Sequence, residues 1–314
     1  MTGQTFQARA AKWEEARAHM RALGPRWADD IAAGRRAVLE TYTPLLAQTP
    51  AEGYTVVRDL AYGPHARHRL DVYRPDAVTD GPAPIVVFVH GGGFVRGDMN
   101  ANAQIYGNVP RYFARHGCVA VNVEYRLAPE APFPGGALDV GAAMQWVREH
   151  IGEYAGEGGA DLSRVLLIGH SAGGSHVASY LCDPRVRPAQ PEVAGTVLIS
   201  ARLRADVLSD NPNAPGVVAY YGNDPARHES DAPMAHADAM PVPVMVVVAE
   251  FENPHLDTYA LEFCHRLAQR DGRAPRLRQV RDHNHTSVVA HIDSGDDSLG
   301  REILQFLHEI NPSP

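Results

Sequence analysis

Cysteine is scarce in this sequence. The three thiols, Cys118, Cys182 and Cys264, lie far apart and are odd in number. A disulfide framework is therefore not expected, and Cys118 and Cys182 read as inert core thiols. There are sixteen histidines, but no Cys/His cluster has zinc-finger spacing. No basic block breaks a net charge of -8, which argues against nucleic acid as a partner. No apolar stretch is long enough to span a membrane, and the polar, helix-patterned N-terminus lacks a signal-peptide core. A soluble, cytoplasmic protein is the expectation. Internal repeats and low-complexity segments are also missing.

What is present is 314 residues, 45 % of them apolar, enough for one large α/β domain or two small ones. Phe6, Ala10, Trp13, Met20 and Leu23 recur at helical spacing, with Lys12, Glu15, Arg17 and Arg21 between them. Gly24-Pro25 breaks this helix. A second is expected from near Trp27 to about Leu39, ended by Thr43-Pro44. From Tyr54 onward, short apolar runs alternate with helical patterns. Strands are expected at 55–60, 69–73, 85–89, 119–123, 165–168, 195–200, 243–249 and 276–280. Helices are expected at 102–116, 137–150, 175–181, 255–268 and 299–310. The first two strands read as antiparallel, and the alternation after them implies a mainly parallel sheet covered on both faces. Residues 201–240 are rich in Pro, Asn, Asp and Ala and carry the pair Tyr220-Tyr221. They read as an excursion above the strand ends that, with residues 1–50, can make a lid.

The chain is organised around Val165-Leu166-Leu167-Ile168 followed by Gly169-His170-Ser171-Ala172-Gly173. A branched apolar run leads into Gly-x-Ser-x-Gly, and a helical segment follows. Small residues two before and two after the serine let strand and helix approach closely at a sharp turn. That turn lifts the hydroxyl above the sheet. A helix-capping serine in a glycine-rich turn would give the same five letters, but the strand before and the helix after favour a nucleophile.

Acyl transfer by serine also needs a base, a group to orient it, and donors for an oxyanion. Candidates for each follow strand ends, where open parallel sheets bind ligands. His90-Gly91-Gly92-Gly93 follows strand 85–89, and its N–H groups, with that of Ala172, can form an oxyanion hole. His90 itself reads as a loop-holding residue. After strand 243–249 come three carboxylates. Glu252 on the loop is favoured as the orienting acid, Asp257 stands in the first turn of the next helix, and Glu250 abuts the strand. After the last strand come His283, His285 and His291, of which His285 is best placed to be the base. The order serine, acid, histidine is the hydrolase order.

Together these residues resemble the α/β-hydrolase fold, and more narrowly the hormone-sensitive-lipase-like carboxylesterases. The matching stretches are Leu70-Asp71-Val72-Tyr73-Arg74-Pro75, His90-Gly91-Gly92-Gly93-Phe94-Val95-Arg96-Gly97-Asp98, Glu124-Tyr125-Arg126-Leu127-Ala128-Pro129-Glu130, Phe133-Pro134 and Gly169-His170-Ser171-Ala172-Gly173-Gly174. They span about residues 55 to 310. The resemblance implies a mostly parallel twisted sheet flanked by helices, with residues 1–50 as a helical cap on a catalytic domain of residues 51–314. It assigns the oxyanion donors to Gly92, Gly93 and Ala172. The chain departs from the family at the acid, where Glu252-Asn253-Pro254 stands in place of Asp followed by Pro and Leu. Glutamate can still accept from the histidine ring. Kynurenine-formamidase-like enzymes share much of the pattern, commonly with an aromatic where Gly93 stands, so this chain leans to the ester hydrolases.

The expected activity is hydrolysis of a small-molecule carboxylic ester through an acyl-enzyme, with no cofactor or metal. The resemblance adds short to medium acyl chains. Amide or formamide hydrolysis, or acyl transfer to an alcohol, would use the same machinery. A hydrolase-fold receptor that binds without turnover is disfavoured by the retention of Ser171 and His285. Oligomeric state, including a homodimer, is left open.

Overall fold

The computed structural model describes residues 3–77 and 81–310, with side chains from residue 11 onward. Phe6 and Ala10 of the N-terminal stripe therefore lie outside the described side chains. Eight strands form one sheet: β1 (Tyr54–Ala61), β2 (Arg69–Pro75), β3 (Ala83–Val89), β4 (Val119–Val123), β5 (Ala160–His170), β6 (Gly195–Ile199), β7 (Val244–Phe251) and β8 (Arg276–Asn284). Their order is β1-β2-β4-β3-β5-β6-β7-β8. β2 pairs antiparallel with both β1 and β4, and every other pairing is parallel.

The apolar runs are continuous because both faces are covered. Alternate residues of β3 divide between two cores: Ile85, Val87 and Val89 enter one, Val86 and Phe88 the other. The first core takes Val140, Met144 and Val147 from α4 (Gly135–Tyr154), Val177 from α5 (Ala172–Cys182) and Phe263 from α8 (Leu256–Asp271). The second takes Val38 and Tyr42 from α2 (Ile31–Ala47), Phe113 from α3 (Asn108–Arg115), and Ile303 and Phe306 from α10 (Ser298–Ile310). All three cysteines are free and buried. Burial pushes the Cys118 and Cys182 thiols up to about 12 and that of Cys264 to about 11, so none is a thiolate.

The structure departs from the sequence expectations in three places. Residues 102–107 are turns, and α3 begins only at Asn108. The Asn102 carboxamide accepts the N–H groups of Gln104 and Ile105 at 3.2 and 2.9 Å, a local closure that competes with helix. The second helix starts at Ile31, not near Trp27, because Asp30 caps it by accepting the Ala33 N–H at 2.9 Å. It also runs through Thr43-Pro44 to Ala47. An interior proline costs about 3 kcal/mol, but stopping there would leave Leu46 out of the second core, and burying a leucine contributes roughly 1.5–3 kcal/mol. Val38, Tyr42 and Leu46 make one buried stripe.

The N-terminal helix α1 (Gly3–Leu23) lies against β8, with Met20 fully buried and Arg17 and Arg21 both bonded to Asp282. Between β6 and β7 the chain makes the expected excursion. It contains α6 (Ala214–Tyr221), α7 (Pro225–Asp231) and a 3-10 helix, Pro233–Ala239. Tyr220 stacks on Phe94 of the glycine loop, with ring centroids 4.7 Å apart.

Candidate active site

Ser171 sits between β5 and α5 with φ 53° and ψ -120°. A positive φ is strained for a residue with a Cβ, and it persists here because the turn is locked on both sides. A Cβ on Gly169 would lie 2.6 Å from the Gly174 Cα, and one on Gly173 would lie 2.3 Å from the His90 carbonyl oxygen. The two glycines of the pentapeptide are thus required by close backbone approach. The Ser171 N–H donates to the Ile199 carbonyl at 2.9 Å, which fixes the turn to the end of β6.

The His285 Nε2 lies 3.0 Å from the Ser171 Oγ, and its Nδ1 lies 2.8 Å from the Glu252 Oε2. A carboxylate only accepts, so Nδ1 carries the proton and Nε2 is left as the acceptor for the serine hydroxyl. The Glu252 side chain is only 3 % exposed, and both its oxygens are bonded. Its Oε1 accepts from the Ser200 hydroxyl and from the Ala249 N–H at 2.8 Å, and its Oε2 also accepts from the Asn253 N–H at 3.3 Å. Those donors hold the carboxylate in one orientation.

The competing residues are engaged elsewhere. Glu250 accepts the Asp282 N–H at 2.7 Å, a bond within the β7–β8 region. Asp257 is exposed on α8 and accepts the neighbouring Thr258 N–H. His283 and His291 are buried, and their Nδ1 atoms contact the Ser287 hydroxyl and the Ser287 carbonyl respectively.

Gly92 and Gly93 line the same cavity as Ser171, and Ala172 opens α5 beside it. Among the described residues, the N–H groups of Gly92 and Gly93 have no protein acceptor. The glycine loop is braced from below. His90 is fully buried, with Nε2 3.0 Å from Glu124 and Nδ1 2.8 Å from the Gly91 carbonyl. Burial alone would raise the Glu124 carboxyl, but the His90 hydrogen bond and the Arg67 charge outweigh it and hold it below the usual range. Tyr125 donates its hydroxyl to the His90 carbonyl at 2.9 Å. The Glu124-Tyr125 pair thus anchors this loop.

Three contributors carry no sequence signal of their own. Ser200 donates to Glu252. His170 donates Nε2–H to the His285 carbonyl at 2.9 Å, and burial followed by the charge of His285 holds its ring well below the ordinary histidine range, hence neutral. Trp27 donates its indole N–H to the Asn253 side chain at 2.9 Å, beside the acid.

A strained serine on a strand-to-helix turn, in line with an imidazole and a carboxylate at the strand ends of a mostly parallel sheet, is the architecture of the α/β-hydrolases. A family model described as alpha/beta hydrolase fold matches residues 86–288. The chain belongs to that family. It is 32 % identical over 203 residues to esterase LipI of Mycobacterium tuberculosis, covering 60 % of this chain and 61 % of LipI. It is 36 % identical over 146 residues to carboxylesterase NlhH of the same species, covering 46 % of this chain and 42 % of NlhH. The matched regions thus span less than two thirds of either relative's length. Among solved structures it is similar to a bacterial heroin esterase, with 25 % identity and a TM-score of 0.69, over 91 % of this chain and 93 % of that one. These comparisons agree with the resemblance to hormone-sensitive-lipase-like carboxylesterases. Among the described residues, no helix is long and apolar enough to cross a membrane.

Proposed function

We propose that this chain hydrolyses carboxylic esters through an acyl-enzyme on Ser171. The observation that carries this reading is the continuous line Ser171–His285–Glu252, with contacts of 3.0 and 2.8 Å. Ser171 Oγ attacks the ester carbonyl carbon while its proton passes to His285 Nε2. The imidazolium formed is held by Glu252 through Nδ1–H. The carbonyl oxygen, now negative, takes N–H groups of Gly92, Gly93 and Ala172; losing one such donor typically costs about 10²–10³ in rate. Collapse breaks the bond to the alcohol, which leaves with the proton from His285. Water then attacks the acyl-enzyme with His285 again as base, and the acid departs from Ser171.

The cavity at Ser171 measures about 100 Å³, which supports short acyl chains. Ile31 and Arg35 of α2, and Arg202, Pro212 and Asn213 of the excursion, line it with Ser171 and His285. That placement supports residues 1–50 and 201–240 acting as a lid over a catalytic domain of residues 51–314. The names of LipI and NlhH support an ester over an amide. Three free thiols fit a reducing compartment, and we place the enzyme in the cytoplasm.

The test is turnover of 4-nitrophenyl butyrate against an aryl formamide, followed by mass spectrometry after a phosphonate inhibitor. Ester preference with the adduct on Ser171 is expected. Formamide preference would move the chain to the formamidases, and an adduct elsewhere would remove the nucleophile.

A further inference from the structure

The chain is acidic overall, yet its catalytic cavity is lined by three arginines, Arg35, Arg96 and Arg202, and by no aspartate or glutamate. Arg202 is buried and already compensated. Its Nη1 donates to Asp206 at 2.8 Å and its Nη2 to Asn211 at 3.2 Å. Arg35 and Arg96 are different. Among the described residues neither has a carboxylate within 4 Å of its guanidinium, whereas Arg17, Arg21, Arg126, Arg185 and Arg204 all do.

Arg35 is half-buried on α2, and Arg96 is exposed at the mouth, on the loop that follows the glycines. Partial burial, and then the Arg35 charge, hold the Arg96 guanidinium below its usual range, so the two cations repel each other across the opening. The Arg35 charge is also felt by His170 and Tyr106, both in the cavity wall. Two like charges converging without a protein counter-ion are destabilising unless something else supplies the negative charge. A low-dielectric cleft of one sign also focuses its field on an incoming ligand of the other. Guanidinium forks match a carboxylate in geometry as well as charge.

We propose that the substrate is an ester carrying a carboxylate, which Arg35 and Arg96 bind while the ester carbonyl faces Ser171. This rests on the hydrolase reading above and adds the substrate class to it. It gives the N-terminal helix α2 a binding role in addition to covering the site. It also explains why Arg202, next to the serine turn, has its own partner: its charge is spent on Asp206, and the two outer cations remain for the ligand.

The experiment compares kcat/KM for matched pairs, after subtracting spontaneous hydrolysis. On the acyl side the pair is 4-nitrophenyl hydrogen glutarate against 4-nitrophenyl pentanoate. On the alcohol side it is 3-carboxyphenyl butyrate against phenyl butyrate. In at least one pair the anionic member should be preferred by about tenfold or more, with the preference shrinking at high salt. Arg35→Gln and Arg96→Gln should each lower that anionic-to-neutral ratio by about tenfold. Arg36→Gln, on the same helix but outside the cavity, should leave the ratio as it is. Equal handling of both members in both pairs overturns the proposal, as does an Arg36→Gln effect equal to that of Arg35→Gln. If no ester is turned over at all, the hydrolase reading fails by itself. Calorimetric titration with glutarate then still decides on the pocket: binding weakened by Arg35→Gln and by Arg96→Gln supports it, and no binding to the folded wild type overturns it. Circular dichroism reports whether Arg35→Gln folds, and Arg96→Gln, at the mouth, tests the claim without disturbing a packed position.

Discussion

Trp27 donates its indole N–H to the carboxamide oxygen of Asn253 at 2.9 Å, and Asn253 directly follows the glutamate that holds His285. The N-terminal segment is thereby tied to the acid loop by a bond from a buried ring that also packs on Gly34, where a Cβ would come within 2.7 Å of it. Trp27→Phe keeps most of the apolar area and removes only this donor. Asn253 is half-buried in the cavity wall, so the loss is that of one net hydrogen bond, about 0.5–1.5 kcal/mol, and Tm should drop by a few degrees at most. We also expect kcat/KM to fall on the order of tenfold, through a slight shift of Glu252. Unchanged kinetics in a folded Trp27→Phe variant would show that the acid loop holds its geometry without the N-terminal segment.

Ser171→Ala should reduce ester turnover by roughly 10⁴-fold or more and leave the melting curve close to wild type. Alanine must still adopt the positive φ, so no strain is relieved, and among the described residues Ser171 makes no side-chain bond other than that to His285. A stopped assay with freshly purified variant and wild type measures the ratio. Residual activity within tenfold of wild type would mean that another nucleophile does the work.

The acid can be assigned by ranking three substitutions. Glu252→Gln places an NH₂ group among the Ser200 hydroxyl, the Ala249 and Asn253 N–H groups and the His285 ring, all of which donate to the carboxylate now. It also favours the wrong histidine tautomer, and a comparable change in the serine-protease triad costs about 10⁴ in kcat. We expect a loss of about 10²–10⁴ here. Glu250→Gln keeps an acceptor for the Asp282 N–H and should cost less than tenfold. Asp257→Asn, exposed on α8, should be near neutral. If Asp257→Asn proved the most damaging of the three, Glu252 would lose the role.

The strands and the serine turn were legible because their physics is local. An unbroken run such as Ile85–Val89 has to be buried on both faces, and Gly169 and Gly173 flank Ser171 because nothing larger fits. The choice among Glu250, Glu252 and Asp257 was only a preference, since position along a loop does not say where a side chain points. Ser200 and Trp27 were silent because their contribution is one hydrogen bond each to residues 52 and 226 positions away. Helix ends were misread where side chains act on the backbone. Asn102 closes a turn that shortens α3, and Leu46 carries α2 past its proline. The charge of the cavity was illegible for the same reason, since Arg35 and Arg96 are 61 residues apart in sequence and meet only in the fold.

Among the histidines that burial keeps neutral, His176 and His291 make stability depend on pH in a direction that can be worked out. Burial pushes the His176 ring down to about 3, with the nearby Asp139 raising it and His90 lowering it. Burial, and then the adjacent His283, push His291 down to about 3 as well, with Asp296 opposing and Arg17 assisting. Both rings are neutral in the native protein, whereas histidines in the unfolded chain bind protons below about 6.5. The unfolded state therefore takes up protons first as pH falls. Their contribution is complete above about 6.5 and is lost progressively as the pH drops from there toward 3, at about 1.4 kcal/mol per pH unit for each ring. Urea unfolding at about pH 7.5, 6.5 and 5.5 covers the top of this window and stays above the range where carboxylates of ordinary pKa titrate. Stability should fall between the last two points by more than between the first two. His176→Gln should make that fall shallower by about one proton's worth, even if the variant is less stable at every pH. A wild-type profile flat down to about pH 5.5 would mean that both rings gain a proton in the folded state as readily as in the unfolded chain.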